Sequence, residues 1–362
     1  MANYAKIPRK APAKFGLALS VGAVVGVILV GVPGQARAKE PVLKVLTWEG
    51  LANDSWVKPF EKKYHVKVDR TYVGSNDEYM AKLAAGDVQY DMVVVVSSLA
   101  QPAIRAGFVE PVNLKNIPNF KKLYPTFQKL SFERHNGKQY GIPNDWDILP
   151  VTVNSNVVKH CSFGVLFNKK YKGKIAMWDD VATLGTVAAY MGFHNIWNLN
   201  KSQLNQVKKK MISQKPLIRT YWSTGGQIIQ LFKSGEVVAT DSWSYVTRKL
   251  KDEGMNVTQC TPKHATAFLD ADFVVKGTHH KKLVEKFINY LISPKVAAQV
   301  YKASGFGVTD PSARKHLPKG ALKGSVMDKG AKFRRNINFW QEIPNRGQYL
   351  HVWNEIKAAS VK

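Results

Sequence analysis

The chain is 362 residues long, 45% hydrophobic and 22% charged, with 53 Lys and Arg against 26 Asp and Glu. That length suits two domains of ordinary size, and nine Trp, 14 Tyr and 16 Phe exclude a disordered chain. Two cysteines exclude a disulfide-stapled scaffold or a multi-cysteine zinc module, while the formal charge of +27 needs a physical reading.

Part of that charge sits in a removable segment. Lys6, Arg9, Lys10 and Lys14 precede an uncharged run from Phe15 to Val32, and Ala36-Arg37-Ala38 ends it with small residues where a signal peptidase reads. Residues 1–38 are therefore expected to be a secretory signal peptide removed after Ala38, with a retained membrane anchor as the competing reading. Its loss removes five basic residues and no acid, taking the formal charge from +27 to +22. Export to an oxidising compartment leaves two states open for Cys161 and Cys260, a disulfide or two buried thiols.

From Val42 onward, short apolar runs alternate with helical patterns, the mark of an α/β fold. Residues 42–46 read as a strand ending in the loop Thr47-Trp48-Glu49-Gly50, and Asn53 to Tyr64 as a helix with Asp54 as its N-cap. A strand at 66–68, a helix at 76–85 and a continuously apolar strand over 90–96 follow, with Ser97-Ser98 at its carboxyl end. Tyr140 to Pro143 reads as a turn, Asn144 to Asp147 as a loop, and Leu149 to Val153 as a strand. A helix at 203–213, strands at 237–239 and 271–275, and helices at 281–291 and 295–303 complete the pattern. No loose linker is visible, so two lobes would be joined by strands. In open α/β sheets ligands bind beyond the carboxyl ends of strands, which singles out Trp48-Glu49 and Ser97-Ser98.

Acids are scarce, yet several stand beside aromatic rings: Trp48-Glu49, Asp145-Trp146-Asp147, Trp178-Asp179-Asp180, Asp241-Ser242-Trp243 and Phe268-Leu269-Asp270. A carboxylate beside a ring face suits an organic cation, the ring holding the apolar stem and the acid pairing the ammonium. Any single pair is more often a core ring and a helix cap; five of them shift the balance toward a cation site. No nucleophile elbow, zinc-protease motif, C-x-x-C or phosphate loop is present, so neither catalytic nor metal-binding residues are expected. His279-His280 reads as a solvated turn, Gly225-Gly226 as a helix start, and the lysine runs as solvated helix faces. Nucleic acid is no plausible partner for an exported chain.

The segments LKVLTWEG, SNDEYMAKLAAGDVQYDMVVVVSS, YGIPNDW, FKSGEVVA and AFLDADFVVKGTHHKKLVEKFINYLISPKVAAQVYKASGFG resemble, in order and spacing, bacterial spermidine/putrescine-binding proteins. The resemblance implies a two-lobed type II periplasmic binding fold, each lobe a mixed sheet flanked by helices. It places 39–153 with 270–315 in one lobe and 154–269 with 316–362 in the other, hinged near Thr152 to Ser155 and Thr266 to Asp270. It also implies a monomeric periplasmic receptor that takes a polyamine in the interlobe cleft and serves an ABC permease of the inner membrane, without a cofactor. By position, Trp48, Glu49, Asp180 and Asp270 match pocket residues, Phe268 and Phe306 stand where Trp and Tyr are usual, and Gln341 falls near a late polar contact. Ser97 or Ser98 matches a loop serine, and Trp146, Asp147, Asp241 and Trp243 are added from the acid–aromatic clusters.

Three departures weigh on the ligand. Thr183 replaces a second carboxylate near Asp180, Thr240 a central tryptophan, and Asp147 a glycine. A receptor of the same fold for an opine, an aminophosphonate or thiamine is the alternative; an anionic or zwitterionic solute would need basic groups in the cleft, with Arg219 and Arg248 as candidates.

Overall fold

The computed structural model describes residues 40–86, 89–323, 325–329 and 339–360; the expected signal peptide lies outside them. The chain begins with β1 (Val42–Trp48), α1 (Asp54–Tyr64), β2 (Lys67–Val73), α2 (Asn76–Ala85), β3 (Met92–Val96), α3 (Ser97–Arg105) and β4 (Val109–Glu110). A short helix α4 (Pro125–Gln128), β5 (Arg134–His135), β6 (Lys138–Gln139), β7 (Gly141–Ile148) and β8 (Val151–Asn154) follow. Next come β9 (Ile175–Trp178), α5 (Ala182–Tyr190), α6 (Lys201–Gln214), β10 (Ile218–Trp222), α7 (Gly225–Lys233), β11 (Ala239–Asp241), α8 (Ser244–Asp252) and β12 (Val257–Cys260). The last are β13 (Ala267–Val275), α9 (Lys281–Leu291), α10 (Pro294–Ser304), β14 (Gly307–Val308) and α11 (Arg346–Ala358).

These strands form two large mixed sheets, with β5 and β6 as a separate two-stranded pair, and helices between them in sequence, the α/β class expected. The first runs β14-β7-β13-β3-β1-β2, with β4 on β13; the second runs β10-β9-β11-β8-β12. β3 is buried at every position, as its uninterrupted Met-Val-Val-Val-Val run requires of a strand covered on both faces. β1 lies parallel to β2 and β3, while β13 runs antiparallel to β3 and β7. The chain passes to the second sheet through Leu149 and Pro150 and returns over 261–266. It crosses again after Phe339, which bridges Ala267, before α11 packs on α6 with Glu355 paired to Lys208 at 3.2 Å. Among the described residues no helix is long and apolar enough to cross a membrane.

Local readings are corrected at three places. Asn53, not Asp54, holds the cap position of α1; the Asp54 carboxylate instead pairs with Lys58 at 2.6 Å and Arg70 at 2.8 Å. Asn144 to Asp147 is not a loop but the middle of β7, buried because β13 and β14 flank it. Ser97 and Ser98 form the first turn of α3 rather than a loop before it.

Cys161 and Cys260 are bonded, with Cα atoms 5.9 Å apart, tying the segment after β8 to the end of β12. The bond closes a sequence separation of 99 residues. Restricting so long a loop in the unfolded chain stabilises the fold by about 2–4 kcal/mol. Replacing both cysteines by Ala should lower the urea midpoint accordingly, and an unchanged midpoint would refute a stabilising role.

Candidate functional site

Between the two sheets lies a cavity with an empty volume of about 370 Å³. Its position follows the rule for α/β sheets. Trp48 and Glu49 stand at the carboxyl end of β1, Val96 ends β3 and Asn76 opens α2. Trp178 ends β9 and Trp243 follows β11, so the second sheet also contributes its strand ends. Phe268 and Asp270 of β13, Phe306 and Trp340 complete the wall.

The aromatic rings brace one another at set angles. Trp178 stacks on Trp340 with centroids 5.7 Å apart and meets Trp243 edge-on at 5.5 Å. Phe268 meets Phe306 edge-on at 5.5 Å, and Trp48 stacks on buried Tyr79 at 5.4 Å. Such a box offers apolar area together with negative ring faces, both favourable to an alkyl cation.

Among the described residues, Glu49 and Asp270 are the only ionisable side chains of the wall. Asp270 is buried, and burial pushes its carboxyl up to about 8. Glu49 is raised by burial too, against a smaller lowering by the backbone N–H groups of Gly225 and Gly226. A Cβ at position 225 would stand 2.6 Å from Glu49 Oε2, so glycine at the start of α7 makes room for this carboxylate. The helix N-terminus there also favours an anion.

Trp48, Glu49, Trp243, Phe268, Asp270 and Phe306 thus share one wall, whereas the remaining sequence candidates lie outside the lining. Asp180 accepts Asn76 N–H at 2.9 Å, Asn76 Nδ2–H at 3.1 Å and Ala182 N–H at 2.8 Å, so its carboxylate links the two sheets' strand ends. Burial raises it to about 6. Trp178 Nε1 donates across the same gap to Gly74 O at 3.1 Å. Asp147 accepts from Ile148 N at 2.9 Å and Ser244 N at 3.2 Å, and Asp241 accepts from Trp178 N at 2.8 Å. Burial lifts each to about 7. Ser97 Oγ donates to Trp340 O at 2.8 Å, which braces that wall residue from behind. Trp146 is buried and donates to Val308 O at 3.2 Å, while Gln341 is exposed. Arg219 pairs with Glu236 and Arg248 lies over Tyr301; neither lines the cavity.

The wall also holds Asn76, Val96, Trp178 and Trp340, absent from the sequence candidates. Trp178 carried a signal, its place in the Trp178-Asp179-Asp180 cluster. Trp340 carried none, since it follows no strand or helix pattern. Among the described residues no three His, Cys, Asp or Glu side chains form a group able to hold a metal ion.

Residues 55–321 match the family described as bacterial extracellular solute-binding protein. A spermidine/putrescine-binding periplasmic protein of Haemophilus influenzae is 21% identical over 89% of this chain and 90% of its own length. The fold is that of a lipoprotein of Treponema pallidum, 20% identical with a TM-score of 0.74 over 87% of this chain and 99% of that one. A binding protein of Agrobacterium tumefaciens solved with glucopine is 15% identical, with a TM-score of 0.69 over 88% and 99%. These neighbours identify the architecture as the type II periplasmic binding fold.

Proposed function

The chain belongs to the bacterial extracellular solute-binding proteins, and from that premise we propose that it captures a polyamine of the putrescine or spermidine type for import. The observation that carries this reading is the composition of the wall: among the described residues it has four Trp, two Phe, two carboxyl groups and no basic residue. Ring faces would hold the polymethylene chain while Glu49 and Asp270 take the ammonium groups. In this reading the protein binds without catalysing, works as a monomer in the periplasm after cleavage at Ala38, and presents its closed form to an inner-membrane ABC permease. The disulfide supports an oxidising compartment. The excess of surface lysines does not oppose a cation inside the cleft, because charges beyond about 8 Å are screened at physiological salt.

A thermal-shift screen of the chain from Lys39 tests this. The panel is putrescine, spermidine, agmatine, thiamine, an aminophosphonate, an opine and ferric citrate. A ligand at 100 times its Kd adds about 2.7 kcal/mol of stability, so putrescine or spermidine should raise the midpoint clearly. A shift with only anionic or zwitterionic members would overturn the polyamine assignment.

A further inference from the structure

Beside Asp270 on the sheet, β7 and β13 gather carboxyl groups that the wall does not use. Asp145 and Asp270 are cross-strand partners, so their side chains leave one face of the sheet with Cβ atoms roughly 5 Å apart. Asp272, two residues along β13, lies on that same face. Asp145 is 1% exposed, and neither of its carboxylate oxygens has a hydrogen-bond partner among the described residues. Asp272 is 0% exposed; it receives Asn144 Nδ2–H at 3.2 Å on one oxygen, and the other has no partner. The hydroxyl of fully buried Tyr79 on α2 also lacks a partner and lies within the electrostatic reach of Asp270 and Asp272. Among the described residues no basic side chain answers any of the three carboxyls.

Buried acceptors without donors are rare and costly, so a donor that reaches them is held more strongly than on a surface. We propose that Asp145 and Asp272 extend the cleft floor beyond Asp270 into an end pocket for a primary ammonium group. The inference rests on the cationic-solute reading of the cleft. A primary ammonium carries three N–H donors, one for each of the three carboxyl groups. A quaternary head has none, a tertiary one has a single donor, and a planar guanidinium presents its donors in a wider fork. The pocket therefore selects alkylamines with a free terminal amine over N-methylated ends. Burial and mutual repulsion push the surplus acids toward their neutral form, which lessens the negative charge that one ammonium must balance.

Calorimetric titration with putrescine and with N,N,N′,N′-tetramethylputrescine tests this on the chain from Lys39. The wild type should prefer putrescine at least 100-fold. Asp145→Asn and Asp272→Asn should each weaken putrescine at least tenfold and compress the preference below tenfold. Equal loss for both amines would mark these residues as structural and overturn the pocket. So would unchanged binding in both variants alongside a loss in Asp270→Asn, which leaves the cationic cleft standing. Absence of discrimination in the wild type overturns the pocket without any variant. Failure of the wild type to bind either amine overturns the cationic reading itself, and the pocket with it.

Discussion

Asp270→Asn is expected to weaken binding of putrescine or spermidine by about 2–5 kcal/mol while leaving the unliganded protein at least as stable at pH 8. The first half follows from desolvation. Asp270 sits 4% exposed in the cavity wall with no basic partner among the described residues, so an ammonium meeting it trades water for a carboxylate in a low dielectric. Removing one member of such a buried charged pair costs about that much. The second half follows from burial, because an Asn of the same shape never has to ionise in the floor. Calorimetry and a melt on the same sample measure both. Unchanged polyamine affinity would remove Asp270 from the ligand site. Asp180→Asn is a useful contrast: its carboxylate is already occupied by Asn76 and Ala182, so its loss acts on the link between the sheets.

Much of the fold was legible because periodicity and caps agree with it. α2 and α9 take the bounds read from the sequence, 76–85 and 281–291. In α2, Ser75 accepts the Glu78 N–H and Gly86 ends the helix in a left-handed conformation. Six of the twelve site candidates meet in one wall because the acid–aromatic clusters fall at strand ends, where α/β sheets bind ligands.

What escaped the reading lies where local chemistry and tertiary pairing disagree. Pro143, Asn144 and Asp145 are turn formers by type, yet β7 carries them through the sheet interior because strands pair it on both sides. Asp270 and Asp272 alternate within an apolar strand, and that conflict with β-propensity is itself a signal of a site. Trp340 has no such signal: a residue in irregular chain, it is held at the cleft by the bridge of Phe339 to β13 and by Ser97 Oγ on its carbonyl. The disulfide was equally hidden, since nothing in a separation of 99 residues places the two sulfurs together.

Thermal stability of the unliganded protein is expected to fall as pH rises from 5 to 8.5, and polyamine binding to strengthen over the same interval. Buried acids govern both. Burial raises Asp180 to about 6, Asp147 and Asp241 to about 7 and Asp270 to about 8, each from an ordinary value near 3.8. A group whose pKa is raised by folding contributes stability that is complete below its unfolded pKa and is lost as pH climbs through the folded one. Asp54 and Glu236 shift the other way beside basic partners, but they are exposed and act near pH 4, below this window. Among the described residues, Asp145 on β7, Asp272 on its own strand and Tyr79 on α2 act on Asp270 and Glu49 shares its wall, while Asp147 stands against Asp145 and Glu133 against Asp272; none of these carries positive charge. A polyamine keeps its ammonium groups to pH 8, as a lysine does. Binding therefore displaces protons from the floor, and affinity should gain up to about tenfold per pH unit for each proton released. Titrations in two buffers of different ionisation enthalpy would count those protons. Affinity that stays level from pH 5 to 8, with no proton released, would refute the coupling; Asp270→Asn should flatten the profile that the wild type shows.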